Sequence, residues 1–156
     1  MLLTVFIRIT ENDVSKLIAK SKRPQAERAT EHAMVELFHC VATRRALRTK
    51  FAKVDMFACD VMGVRADGTR VFVQTTSGQT AAVLTRRRKL EAYPWHHSDY
   101  VAVWQLTERA SVSNPRRKDW FFRVWEYTPG WQDGKREWAV QDDPIPVKRE
   151  WFKARH

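Results

Sequence analysis

Two short segments decide how this chain folds: Asp55-Met56-Phe57-Ala58-Cys59-Asp60 and Val73-Gln74-Thr75-Thr76-Ser77-Gly78. Between them, Arg65-Ala66-Asp67-Gly68-Thr69 carries the Asp-Gly dipeptide, a strong signal for a tight turn joining antiparallel strands. Residues 56–64 and 70–76 therefore read as a hairpin. Its first strand is mostly apolar with Asp60 in the middle, the composition of a strand covered on both faces. Side chains alternate across a strand, so Gln74 and Thr76 share one face, and Asp60 shares a face with Ala58 and Met62. A carboxylate set among Met, Ala, Val and Cys costs several kcal/mol unless it is paired, hydrogen-bonded or metal-bound. Asp60 needs a partner.

Upstream of the hairpin, Met34, Leu37, Phe38 and Val41 recur at i, i+3, i+4 and i+7. This spacing predicts an amphipathic helix from Gln25 to about Thr43, with Pro24 near its first turn. Glu27 and Glu31 extend the same stripe, so at least one carboxylate is expected to point toward whatever the helix packs on. A shorter helix capped within Thr10-Glu11-Asn12-Asp13 is predicted to end in the basic, Pro-broken stretch 20–24, and a basic strand is predicted at 47–54. Downstream, Thr80 to Glu91 reads as a helix with Val83, Leu84 and Leu90 on one side and Arg86, Arg87, Arg88 and Lys89 over the rest. Strands follow at 100–106, 120–127 and 136–140. The order of a helix, three strands, a helix and further strands predicts one mixed α/β sheet domain at 25–141. Residues 1–24 read as an N-terminal strand or helix extension, and 142–156 as a tail without a clear period.

The chain has 156 residues, with 28 Lys or Arg against 18 Asp or Glu, a formal net charge of +10. A surplus of that size calls for a polyanionic partner. Hydrophobic residues make up 44% of the chain, too many for a disordered basic tail. Cys40 and Cys59 lie in apolar segments without metal-type spacing and read as small buried hydrophobes in a reducing compartment. The apolar opening Met1 to Ile7 is interrupted by Arg8 and reads as neither a signal peptide nor a membrane span. A cytoplasmic protein of a bacterium or a phage-infected host is expected.

A helix bearing Glu, an Asp in a strand, a strand ending in a polar-x-polar pair and then a basic helix together resemble the PD-(D/E)XK nuclease superfamily. More narrowly, Asp55 to Asp60, Val73 to Ser77 and Arg86 to Leu90 are similar to the D-L-F-G-F-x-D, V-Q-x-T-S and R-x-x-K-I segments of a little-characterised phage and bacterial subgroup. The resemblance implies a restriction-endonuclease-like core, a central mixed β-sheet flanked by helices, with extra C-terminal strands. It implies a divalent-metal-dependent DNA endonuclease. Asp60 would take the place of the metal-binding aspartate, Gln74 that of the Glu or Asp, and Thr76 that of the lysine. The carbonyl of Thr75 would face the metal, and Glu31, or else Glu27, would supply a helix carboxylate. The implied ion is Mg²⁺ or Mn²⁺, which neutralises charge on the scissile phosphate and lowers the pKa of an attacking water. Two positions depart from the pattern. Gln74 is a neutral amide where a carboxylate is expected, and Thr76 has no positive charge, so a cation such as Arg86, Arg87 or Lys89 would have to reach in from the next helix. An active site with a rearranged inventory and an inactive scaffold kept for binding nucleic acid or a host protein both remain open.

The cationic runs fit either reading. Arg44, Arg45, Arg48, Lys50 and Lys53 precede the hairpin, Arg86 to Lys89 follow it, and Arg116-Arg117-Lys118 lie further on. Each can contribute sequence-independent, salt-sensitive affinity for a phosphate backbone, with DNA favoured over RNA. Read blandly, Arg86 to Lys89 is a solvated helix face, Glu27 and Glu31 are first-turn acids, and Gln74 to Ser77 are ordinary strand-end residues. His96-His97 reads as a surface pair rather than a metal site. Five of the seven tryptophans fall between 120 and 151, where hairpin packing is the expected role and an exposed ring could stack on unpaired bases. Many nucleases of the resembled superfamily work as homodimers, but the patterning shows no dimer seam.

Overall fold

The Asp67-Gly68 turn forms as the dipeptide requires. Gly68 adopts φ +87, a left-handed conformation in which a Cβ would be strained. The Asp67 carboxylate accepts the Thr69 N–H at 2.8 Å. The turn joins two strands that pair antiparallel with Val61 opposite Val73 and Val64 opposite Arg70. The computed structural model of the protein describes residues 11–48, 53–54, 59–130 and 134–153.

Around this hairpin the elements run as a long helix α1 (Glu11–Phe38), strand β1 (Cys40–Arg45), and a small pair β2 (Leu47–Arg48) and β3 (Lys53–Val54). The hairpin itself, β4 (Val61–Arg65) and β5 (Arg70–Thr76), is followed by helix α2 (Thr80–Glu91). Strands β6 (Tyr100–Ala110), β7 (Lys118–Pro129), β8 (Arg136–Val140) and β9 (Ile145–Val147) complete the sheet, and a 3-10 turn spans Arg149–Phe152. Spatial order is β1-β4-β5-β6-β7-β8, with β9 also on β7. The β5–β6 pairing is parallel and the others are antiparallel, so the sheet is mixed and α2 is the crossover between its two parallel strands.

Alternation along the strands gives each helix its own face. Val71, Val73, Ala102, Trp104, Phe122 and Val124 pack with Ala26, Ala29, Ala33 and Met34 of α1. Phe72, Val101 and Val103 pack with Val83 and Leu90 of α2. The result is an α/β fold in which both faces of β5 are buried, which is why its run Val71–Thr76 has no exposed position.

The N-terminal half departs from the sequence expectation. The helix is continuous from Glu11 to Phe38, with Pro24 inside it, rather than broken there. It ends at Phe38, where His39 turns the chain with φ 57, so residues 40–43 are strand and not helix. The predicted apolar stripe is right in part: Met34 is buried and Phe38 packs against the core, whereas Leu37 is 49% exposed and Val41, now in β1, is 67% exposed. Ala26, Ala29 and Ala33 pack beside Met34, and their short side chains let the helix approach the sheet closely. Gly63 makes the same close approach from the sheet side, since a Cβ there would meet Cys40 Sγ at 2.8 Å and Met34 Sδ at 3.3 Å. The strand predicted at 47–54 reduces to the two-residue pair β2 and β3, and residues 55–58 lie outside the described residues.

The C-terminal segment is integrated into the domain. β9 pairs with the outer edge of β7, Trp120 opposite Val147 and Phe122 opposite Ile145. Beyond it, Trp151 is 1% exposed inside the α1-side core, and Lys148 bonds Glu36 of α1 at 2.8 Å. Helix, sheet edge and C-terminal turn form one hydrophobic unit.

Candidate functional site

Asp60 of the hairpin and Arg86 of α2 converge on one backbone position, Thr75. β4 begins only at Val61, one residue after the bend at Asp60, so β5 outruns its partner beyond Val73. In an antiparallel ladder the N–H and C=O of one residue point to the same side. Both backbone groups of Thr75 thus face the place where β4 is missing, and two side chains take them. Asp60 Oδ2 accepts the Thr75 N–H at 2.9 Å, and Arg86 Nε of α2 donates to the Thr75 carbonyl at 2.8 Å. The Asp60 main chain is held from both flanks: its N–H donates to the Val73 carbonyl at 3.2 Å and its carbonyl accepts from Ala46 N–H at 2.7 Å. Asp60 is 0% exposed, and Gln74, Thr75 and Thr76 are likewise buried.

The strand end closes on itself beyond this point. Thr76 Oγ1 accepts the Gly78 N–H at 2.9 Å, and Gln105 Nε2 of β6 donates to the Gly78 carbonyl at 3.0 Å. These bonds fix the turn into α2, whose N-terminus has no side-chain cap. The Thr75 hydroxyl, pointing to the opposite face of β5, is buried and has no hydrogen-bond partner among the described residues.

Glu31 stands elsewhere. Its carboxylate accepts from Thr43 Oγ1 at 2.8 Å and pairs with Arg45 Nε at 2.8 Å, tying α1 to β1. Glu27, on the sheet-facing side of the same helix, is buried at 2% exposure, as expected for one of the two acids. Another buried carboxylate, Asp99, accepts from Arg70 Nε and Arg70 Nη2 at 2.9 and 2.8 Å and from the His96 N–H at 2.9 Å. It pins the start of β6 to the start of β5. His96 and His97 are exposed, with ring centroids 4.2 Å apart.

The cations stand in different settings. Arg86 is half-buried and directed inward; Arg88 and Lys89 are exposed on α2, as are Arg116, Arg117 and Lys118 at the β6–β7 turn. Lys118 pairs with Glu108 at 3.3 Å. Arg44 is exposed on β1, while Arg45 is spent on Glu31. Lys50 lies outside the described residues, and of Arg48 only the backbone in β2 is described. Arg87 behaves differently from its neighbours: it lies over the rings of Trp125 and Trp138, 5.8 and 4.8 Å from their centroids. The sequence reading missed the setting of this contact, a row Phe121, Arg123, Trp125, Tyr127 on one face of β7. Its signal was the two-residue spacing within 120–127.

The donor set that the resemblance assigns to a divalent ion does not fit one as arranged. The Thr75 carbonyl already accepts from a guanidinium, one Asp60 oxygen accepts an N–H, and Gln74 brings no charge. Glu31 is neutralised by Arg45 at a separate place. Among the described residues, no group of three or more His, Cys, Asp or Glu forms a metal cage. Among them, too, no helix is long and apolar enough to cross a membrane. Compared with family models, curated proteins and solved structures, the chain matches none.

Proposed function

We propose that this chain is a nucleic-acid-binding protein on a restriction-endonuclease-like scaffold, holding the phosphodiester backbone with arginines rather than through a bound divalent ion. One observation carries the reading: the Arg86 guanidinium sits on the Thr75 carbonyl, where the resemblance would place the metal. A guanidinium bonded there takes the position without recruiting an ion. The charge that would meet a phosphate backbone is that of exposed Arg44, Arg88, Arg116 and Arg117, and DNA is the expected polyanion. The order of elements, with a helix and an antiparallel three-strand unit followed by a crossover helix and a parallel strand, supports the scaffold part of the reading.

The test is binding of labelled duplex DNA by the purified chain across a salt series, in Mg²⁺ and in EDTA. The expected result is salt-sensitive binding that EDTA leaves unchanged, with the double variant Arg116→Ala/Arg117→Ala lowering the log–log salt slope by about 2, roughly one per lost phosphate contact. Binding that appears only with Mg²⁺ would overturn the metal-free part, and no binding at low salt would overturn the whole. A second reading, metal-dependent cleavage of DNA, is favoured by the buried Asp60 one residue before β4. It predicts products from duplex, single-stranded or branched DNA with Mg²⁺ or Mn²⁺ that disappear with Asp60→Ala.

A further inference from the structure

The face of the sheet carrying α2 is only partly covered by it. α2 packs over β5 and β6, where Val83 and Leu90 meet Phe72, Val101 and Val103. Further across, β7 presents Phe121, Arg123, Trp125 and Tyr127 on that same face, because Thr107 pairs with Phe121, Gln105 with Arg123 and Val103 with Trp125. At about 3.4 Å per residue these side chains recur roughly every 7 Å. The three rings are half-buried and Arg123 is exposed.

Each ring carries a guanidinium. Arg109 lies 5.2 Å from the Phe121 centroid, Arg123 lies 4.9 Å from Trp125, and Arg87 reaches the same tryptophan from α2. Trp138 of β8 extends the surface by stacking on Tyr127 at 4.5 Å, 20° from parallel. Among the described residues, none of Arg87, Arg109 and Arg123 is bonded to a carboxylate, so their charge is not spent inside the protein. A row of π-faces interleaved with unneutralised guanidiniums has the chemistry of a surface for unpaired bases and their phosphates: bases stack on rings and on guanidinium planes, while the charges track the backbone.

We infer that the Phe121–Arg123–Trp125 face of β7, with Arg87 and Arg109, is a binding surface for single-stranded nucleic acid. The inference rests on the nucleic-acid-binding reading above and narrows it to unpaired strands. Duplex DNA offers its bases only at the groove edges, so stacking on this face selects single strands over duplex.

The test titrates the full chain with an oligo(dT) strand and with a duplex of the same length, following intrinsic tryptophan fluorescence and the anisotropy of a labelled strand. The expected result is tighter binding of the single strand, quenching of tryptophan emission, and a loss of at least about fivefold in single-strand affinity for each of Phe121→Ala and Arg123→Glu, the lower end of what one base–aromatic stack contributes. Arg123 is exposed, so its substitution leaves the core intact; circular dichroism of both variants checks this. Single-strand affinity unchanged in folded Arg123→Glu and Phe121→Ala, or a preference for duplex, would overturn the inference while leaving the nucleic-acid reading standing. Failure to bind either ligand at low salt would overturn both.

Discussion

Replacing Asp60 separates a carboxylate kept for the fold from one kept for a ligand. Its Oδ2 accepts the N–H of Thr75 at 2.9 Å in a fully buried setting. A hydrogen bond to a charged group contributes about 1.5–3 kcal/mol, and leaving a buried N–H unmet costs about 1–3 kcal/mol. Asp60→Ala removes the acceptor and leaves the Thr75 donor facing the gap beyond β4, so we expect a loss of about 2–3 kcal/mol. For a domain of this size that is a fall in Tm of about 4–12 °C, at about 2–4 °C per kcal/mol. Asp60→Asn keeps the shape and a carbonyl-type oxygen able to accept the same N–H, so its loss should stay near 1 kcal/mol. Thermal unfolding followed by circular dichroism at low and high salt measures both; burial predicts little salt dependence of the difference. A rise in Tm for Asp60→Asn would refute the reasoning, because it would mean the charge is held at a cost to the fold, as ligand-site carboxylates are. A change below about 0.5 kcal/mol for Asp60→Ala would refute it equally.

Three further outcomes follow from the packing. Gly63→Ala drives a methyl group into Cys40 Sγ and Met34 Sδ and should lose about 1–3 kcal/mol in urea unfolding, with Cys40→Ala in the same chain restoring part of it. Trp151→Ala should cost about 3–5 kcal/mol, which a detached tail could not produce; equilibrium unfolding decides between them. Burial, reinforced by the neighbouring Glu126 carboxylate, pushes the Tyr100 phenol up from its ordinary value of 10.0. The unfolded chain releases that proton as pH passes about 10 while the folded chain keeps it, so this contribution is full below pH 10 and shrinks as pH rises further. Tyr100→Phe should flatten that decline in alkaline stability measurements.

Much of the architecture was legible from local chemistry. The Asp67-Gly68 dipeptide permits few backbone turns, and the alternation around it places the hairpin. The bounds of α2 and β8 are those predicted, and β6 and β7 extend a few residues beyond theirs, because polar turns bracket them on both sides. The helix register was legible only in part. Large residues dominate a periodicity reading, which finds Met34 and Phe38, whereas α1 is held as much by Ala26, Ala29 and Ala33, which carry little pattern.

The same division holds at the site. From its apolar neighbours alone, Asp60 had to be buried and had to have a partner, since desolvating a carboxylate admits nothing else. Which partner it took depended on where β4 stops relative to β5, a property of strand register that no local segment contains. Arg86 reached the Thr75 carbonyl because the crossover lays α2 against the end of β5, and the guanidiniums of Arg87 and Arg123 met over Trp125 because β7 lies two strands away from β5. An excess of cations and one carboxylate in need of a partner can be read from the residues alone; which cations turn inward is set by the fold, because it depends on contacts between residues far apart in the chain.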